Sequence, residues 1–369
     1  MSVFRQALSI VGFSLVCLSG FAQQPSGSAL GTGQLQVRPE SSPDAANRLV
    51  LDVVVTDRSG KAVKGLEEKD FTVFDDGHSR KILTFQSTGG EAVPADVQPA
   101  EPPVKIILLI DEVNTNFTRL AYERDQIKRF LLQNGGNLAH PVSMAFFSDA
   151  GAEIQNDASG DGNALLALFD KHEARLRSIR RSQGFYGAEE RFQLSLKTLG
   201  SLAATEMQVP GRKIVVWISP GWPLLSGPNV QLSARNEAYL FASIVSLSTA
   251  LRDARITLYS VDPEGAGTAI GTQDFYYREF LKPVVLARNA KAGNLALQVL
   301  AVHSGGLVFT ASNDITGQIT RCVADADAYY TLTVDAAPAD RPDAYHALEV
   351  RVATPGLTAR TRSGYYVQH

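Results

Sequence analysis

The sequence predicts an α/β fold: a doubly wound, mainly parallel sheet joined to an antiparallel β-sandwich made from strands at both ends of the chain. Three observations carry this. Continuous apolar runs such as 105–110 and 213–218 alternate with amphipathic segments, as when helices cover both faces of a buried parallel sheet. The tail instead alternates apolar and polar residues from Tyr329 to Val334, Tyr345 to Val352 and Leu357 to Val367, the pattern of strands with one solvated face. The terminal strand regions hold only about 40 residues each, too few to bury a core alone. The economical solution pairs them in one sandwich with the α/β part inserted; the alternative is two small sheets packed separately onto it.

The chain has 369 residues, 44% hydrophobic and 20% charged, with a net charge of -3. This composition excludes a wholly disordered or collagen-like chain, and the charge supplies no bulk drive toward nucleic acid or an anionic membrane. Two cysteines exclude a disulfide-rich scaffold.

Taken in order, residues 1–22 read as a signal peptide. Arg5 is followed by an apolar stretch from Ala7 to Phe21 and the small-x-small site Gly20-Phe21-Ala22. Cleavage there removes Cys17 and leaves Cys322 with no partner for an internal disulfide. No later stretch is long and apolar enough to span a bilayer. Residues 23–47, rich in Ser, Gly, Pro and Gln, read as a flexible spacer. Residues 48–90 hold N-terminal strands at 49–55, 71–74 and 81–85, with turns at Asp57-Arg58-Ser59-Gly60 and Asp75-Asp76-Gly77. Pro94, Pro99, Pro102 and Pro103 make 91–103 a stiff linker.

The α/β domain follows at 104–327. Strands are expected at 105–110, 142–147, 213–218 and 256–261, with a short edge strand at 307–309. Helices are expected near 118–133, 163–178, 188–207, 232–253, 291–303 and 315–326. The clearest is 232–253, where Leu240, Ile244, Leu247 and Leu251 recur at helical spacing. Residues 328–369 supply the C-terminal strands of the sandwich.

Several stretches together resemble a known family. They are Val53 to Leu66, Asp70-Phe71-Thr72-Val73, Ile110 to Thr115, Gly211 to Gly221, Tyr259 to Gly265, Tyr329-Tyr330-Thr331-Leu332 and Gly364-Tyr365-Tyr366. Residues 104–326 are similar to a von Willebrand factor A domain, which is Rossmann-like. The whole chain resembles the von Willebrand A-related proteins abundant in Acidobacteria. The resemblance implies a non-enzymatic adhesion-type module that binds a protein ligand at the C-terminal ends of its strands. Many such domains hold a divalent cation there through Asp-x-Ser-x-Ser, a Thr, and an Asp after a later strand. Here the first motif is Asp111-Glu112-Val113-Asn114-Thr115, and the later Asp is replaced by Ser219-Pro220-Gly221. Val113 cannot ligate, so the metal site reads as degenerate. No cofactor is expected; a cation such as Mg²⁺ at a rearranged site using Asp111 and Thr115 is the alternative.

The expected ligand-binding residues are Asp111, Asn114, Thr115, Trp222 and Asp262. The first three would shape the cleft floor by hydrogen bonding. Trp222, on the loop Pro220 to Leu225, would supply apolar contact area, with Phe275-Tyr276-Tyr277 on the same rim. Other patterns carry less. Asp157 to Leu168 begins like an EF-hand loop but lacks the closing Glu. Gly265 to Gly271 has the wrong spacing for a dinucleotide loop. Ser219 lacks a nucleophile elbow. None of the six histidines sits in a local zinc motif, and the arginines 175, 177, 180 and 181 read as a solvated helix face. The sequence therefore predicts a secreted or periplasmic protein of the cell envelope with an unidentified protein ligand, no nucleic acid, and no transmembrane segment after signal cleavage. The alternatives are a metal-dependent adhesin and a structural envelope component.

Overall fold

The computed structural model describes residues 48–89, 102–115, 117–176, 184–223, 231–264, 276–310, 312–338 and 341–367. The expected signal peptide, the spacer and residues 91–101 of the linker lie outside the described residues.

The chain opens with β1 (Arg48–Thr56), β2 (Phe71–Asp75), β3 (His78–Arg80) and β4 (Ile82–Thr88). Asp75 pairs with His78, so Asp76 and Gly77 form a two-residue hairpin loop. Both have positive φ, 49° and 78°, as a type I′ turn requires. The α/β part then runs through β5 (Lys105–Asp111), α1 (Phe117–Leu131), β6 (Asn137–Ser148), β7 (Gly151–Ile154), β8 (Ser159–Asp161), α2 (Gly162–Leu176) and α3 (Gly184–Glu206). It continues with β9 (Lys213–Ile218), α4 (Ala234–Asp253), β10 (Ile256–Val261), α5 (Leu297–His303), β11 (Val308–Phe309) and α6 (Ile315–Val323). The last strands are β12 (Tyr329–Asp335), β13 (Tyr345–Val352), β14 (Thr358–Arg360) and β15 (Gly364–Tyr366).

The central sheet has the order β11-β10-β9-β5-β6-β7, with β8 also on β6. Neighbours from β11 to β6 are parallel, while β7 and β8 run antiparallel to β6. Alternation along each strand divides its side chains between two cores. Ile107, Leu109, Val215 and Trp217 pack under α3 and α4. Ile106, Leu108, Ile110, Ile214 and Val216 pack under α1, α2 and α6, with the buried thiol of Cys322. Helix α4 starts where Ser233 Oγ accepts from Asn236 N at 3.3 Å, and it buries Leu240, Ile244, Leu247 and Leu251 at the spacing seen in the sequence.

Two further four-stranded sheets flank this layer, ordered β14-β1-β12-β4 and β15-β13-β2-β3. Both are antiparallel, and both join strands from the two ends of the chain: Val53 pairs with Tyr330, and Val73 with Val350. Leu51, Val55, Val73, Tyr330, Leu332, Val350 and Tyr365 share one core between them. A polar seam ties these sheets to the α/β layer. Arg255 Nη2 lies 2.5 Å from Asp52 Oδ1. Arg212, fully buried, donates to the Asp325 carbonyl at 2.8 Å and stacks on Tyr329. The Asp325 carboxylate takes both Tyr259 Oη and Arg360.

Two local expectations need correction. The sequence places no strand between 147 and 163, yet this stretch contributes β7 and β8, because an antiparallel edge needs few apolar residues. Asp161 there caps α2, accepting from the backbone of Asn163 and Ala164 at 3.0 Å each. The tail from Leu357 to Val367 was expected as one strand. It divides into β14 and β15, which lie in different sheets. Gly364 permits the second of these: a Cβ there would stand 2.2 Å from Tyr345 Oη.

Candidate functional site

Strands β5, β9 and β10 end on the same side of the central sheet, the side where doubly wound sheets hold ligands. A cleft of about 570 Å³ opens there. Asn114 follows β5, Pro220 to Pro223 follow β9, and Glu264 follows β10. Arg191 of α3, Gln298 of α5, Tyr276 and Tyr277 complete it. Gly221 has φ of 99°, and a Cβ there would meet Gln298 Nε2 at 2.4 Å, so only glycine lets this loop approach α5 so closely. The segments 224–230 and 265–275, which hold Leu224, Leu225, Phe275 and the Gly265 to Gly271 loop, lie outside the described residues.

Asp111 lies beneath the cleft, fully buried. Its Oδ1 accepts from the backbone N–H of Val113 at 3.0 Å and of Asn114 at 2.8 Å. Its Oδ2 accepts from Asn114 Nδ2 at 2.9 Å and from Trp217 Nε1 at 3.0 Å. Burial pushes the Asp111 carboxyl above its usual range, while the bonds from Asn114, Trp217 and Ser219 pull it back. Asn114 also donates to Ser195 Oγ at 3.1 Å, tying this turn to α3.

The cation that the resemblance implies does not fit this arrangement. A cation shell needs lone pairs. The carboxylate that should anchor it is surrounded by four N–H donors, and the indole of Trp217 occupies one face. Thr115 is buried at 1% exposure beside Glu123 of α1. The Thr115 hydroxyl and the Glu123 carboxyl face each other, and among the described residues neither has a further hydrogen-bond partner. Burial, then the nearby Asp111 and Glu112, push Glu123 well above the usual carboxylate range, which favours its neutral form. Glu112 itself is paired with His172, whose ring stacks on Phe146 at 3.5 Å.

Of the five expected residues, Asn114 and Trp222 line the cleft, and Asp111 and Thr115 lie under its floor. Asp262 is outside the lining; its Oδ1 accepts from Glu264 N at 2.9 Å and fixes a turn. Trp222 was expected as an exposed anchor. It is 4% exposed, its ring edge-on to Trp217 at 5.2 Å, so most of its surface is spent on the core. Arg191 and Gln298 were missed, since both sit within helical patterns that give no sign of facing a cleft. Tyr277 belonged to the noted aromatic rim, and Glu264 to the motif after β10.

No protein-family model and no curated protein matches the chain. Solved structures give low similarity. An aerotolerance-related membrane protein from Bacteroides fragilis, carrying multiple mutations to serines, is 14% identical at a TM-score of 0.34, covering 60% of this chain and 98% of that one. The PilB minor pilin from Streptococcus sanguinis is 11% identical at 0.35, covering 64% and 67%. A von Willebrand factor type A protein from Catenulispora acidiphila is 9% identical at 0.31, covering 88% and 75%. Similarity at this level assigns no activity. Among the described residues no helix is long and apolar enough to cross a membrane.

Proposed function

We propose that this chain is a non-enzymatic protein-binding module with a von Willebrand A-like domain, and that it takes a segment of a partner protein into the strand-end cleft without a metal ion. The cleft carries this reading. It combines tyrosine and tryptophan rings with one guanidinium, the residue types enriched at protein contacts, and adds one carboxylate and two side-chain amides. Among its described lining residues there is no histidine, cysteine, serine or threonine, and the titratable groups are Glu264, Arg191 and the two tyrosines. The donor-saturated Asp111 supports metal independence. The signal-like sequence of residues 1–22 supports export to the periplasm or beyond.

The test is selection of displayed peptides against the full chain in EDTA, followed by titration with Arg191→Ala and Gln298→Ala variants. Both should bind at least about tenfold more weakly, the loss of roughly 1.4 kcal/mol at a contact residue. Selected peptides that bind both variants as tightly as wild type, or a selection that enriches binders only when Mg²⁺ replaces EDTA, would refute the reading.

A further inference from the structure

A second cluster lies in the flanking sheets, away from the cleft residues. Asp75 ends β2, Asp76 occupies the type I′ turn that follows, and His346 lies on β13, which pairs with β2. His346 Nδ1 stands 3.1 Å from Asp75 Oδ1 and 3.1 Å from Asp76 Oδ2. All three atoms lie within 4.8 Å of one another. From this geometry we propose that Asp75, Asp76 and His346 form a divalent transition-metal site, with Zn²⁺ as its ion.

The arrangement of the other oxygens supports this. Each carboxylate has one oxygen fixed by the protein and one aimed at the histidine. Asp75 Oδ2 accepts from Tyr365 Oη at 2.9 Å and Ala337 N at 3.2 Å, with Arg80 Nε at 3.6 Å. Asp76 Oδ1 accepts from Ala347 N at 2.8 Å. Asp75 Oδ1 and Asp76 Oδ2 each face His346 Nδ1. The His346 ring is itself held, stacked on Tyr365 at 5.2 Å. Outer partners of this kind orient first ligands and are a regular part of metal sites.

The spacing also suits one ion. Ligand atoms about 2.0–2.2 Å from a shared Zn²⁺ stand about 3.0–3.4 Å apart in octahedral or tetrahedral geometry. An imidazole nitrogen with two carboxylate oxygens selects a borderline ion over Ca²⁺, which prefers all-oxygen shells. Asp75 and His346 are buried at 1% and 9% exposure, whereas Asp76 is exposed. The site is therefore reached from the solvent side of the turn, and water completes the shell. Arg80 opposes the ion, but it faces the Asp75 oxygen that does not ligate. Local motif reading misses such a site because its ligands are 271 residues apart in sequence.

Calorimetric titration of the full chain with ZnCl₂ tests the proposal. We expect saturable one-to-one binding in the micromolar range. Asp76→Asn and His346→Gln should each weaken it more than ~100-fold, beyond the ~10–100-fold loss usual for an outer partner. Asn tolerates the positive φ of position 76, so this variant should melt like wild type in EDTA. If His346→Gln does not fold, Asp76→Asn decides. Absence of saturable Zn²⁺ binding, or binding that Asp76→Asn leaves unchanged, would overturn the proposal. The second outcome would move the ion elsewhere, for example to the His140–Asp327 pair.

Discussion

Trp217 Nε1 donates a 3.0 Å hydrogen bond to Asp111 Oδ2, so an indole on β9 holds the buried carboxylate at the end of β5. Replacing Trp217 with phenylalanine keeps most of the packing and removes that donor. Trp217→Phe should lower stability by about 1–3 kcal/mol, the cost of a buried acceptor left short of a partner. Urea unfolding followed by far-UV circular dichroism measures it. The wild-type melting temperature should not respond to Mg²⁺ or EDTA at this site, since an ion that does not bind the native state adds no linkage stabilisation.

Glu123 makes stability fall with rising pH. Buried beside Asp111 and Glu112, it holds its proton in the native state well above its ordinary value of 4.5, whereas the unfolded chain releases that proton near 4.5. Above 4.5 the native state therefore binds more protons than the unfolded state. Stability then declines by up to about 1.4 kcal/mol per pH unit until the native group ionises. Glu123→Gln should remove this part of the slope, so the variant gains on wild type as pH rises. Asp111, also pushed up by burial, contributes in the same sense and remains in the variant. Parallel slopes for the two proteins from pH 5 to pH 7 would contradict the argument.

Trp217 and Trp222, the two tryptophans of the chain, are both buried. Native emission should be blue-shifted and poorly quenched by acrylamide, and it should shift red on unfolding. Trp222→Ala should cost about 3–5 kcal/mol through the cavity it leaves. Trp222→Phe should cost far less, because the indole N–H of Trp222 has no acceptor among the described residues.

The Asp52–Arg255 pair carries the fourth stability prediction. Arg255→Ala strands Asp52, which is 10% exposed, and should cost about 3–5 kcal/mol in chemical denaturation. A double replacement, Asp52→Leu with Arg255→Met, should recover much of that loss, since packed apolar side chains satisfy such a position as well as a desolvated ion pair.

The central strands were legible because full burial leaves a signature that depends on composition alone. Lys105–Asp111 and Lys213–Ile218 stand where the continuous apolar runs put them. Helix α4 was legible from its four-three-four spacing. The division of 357–367 between two sheets was not, since alternation reports which way a side chain faces but not which neighbour pairs. Within the cleft, the turn from Asp111 to Thr115 was visible as a motif. The function of Trp217 was not, because an indole in an apolar strand looks like core until its N–H is traced to an acceptor. Glu123 was hidden for the opposite reason: a carboxylate in an amphipathic helix reads as surface.

The pairing of strands from both ends of the chain also constrains the order in which the protein can fold. Asp52 meets Thr331 across 279 positions, and β1 has its partners only in β12 and β14. An emerging polypeptide must therefore hold β1 without its sheet partners, and β2 paired with β3 but not with β13, while the helices and parallel strands that follow assemble. Closure of the α/β layer brings the ends of that segment together, replacing a long loop with a short reach and reducing the entropic cost of joining them. Until then, the apolar strand Leu49 to Val55 is an open edge exposed to other chains. Aggregation during synthesis should therefore be most sensitive to mutations in the central layer that delay its closure, even those far from the strands that aggregate.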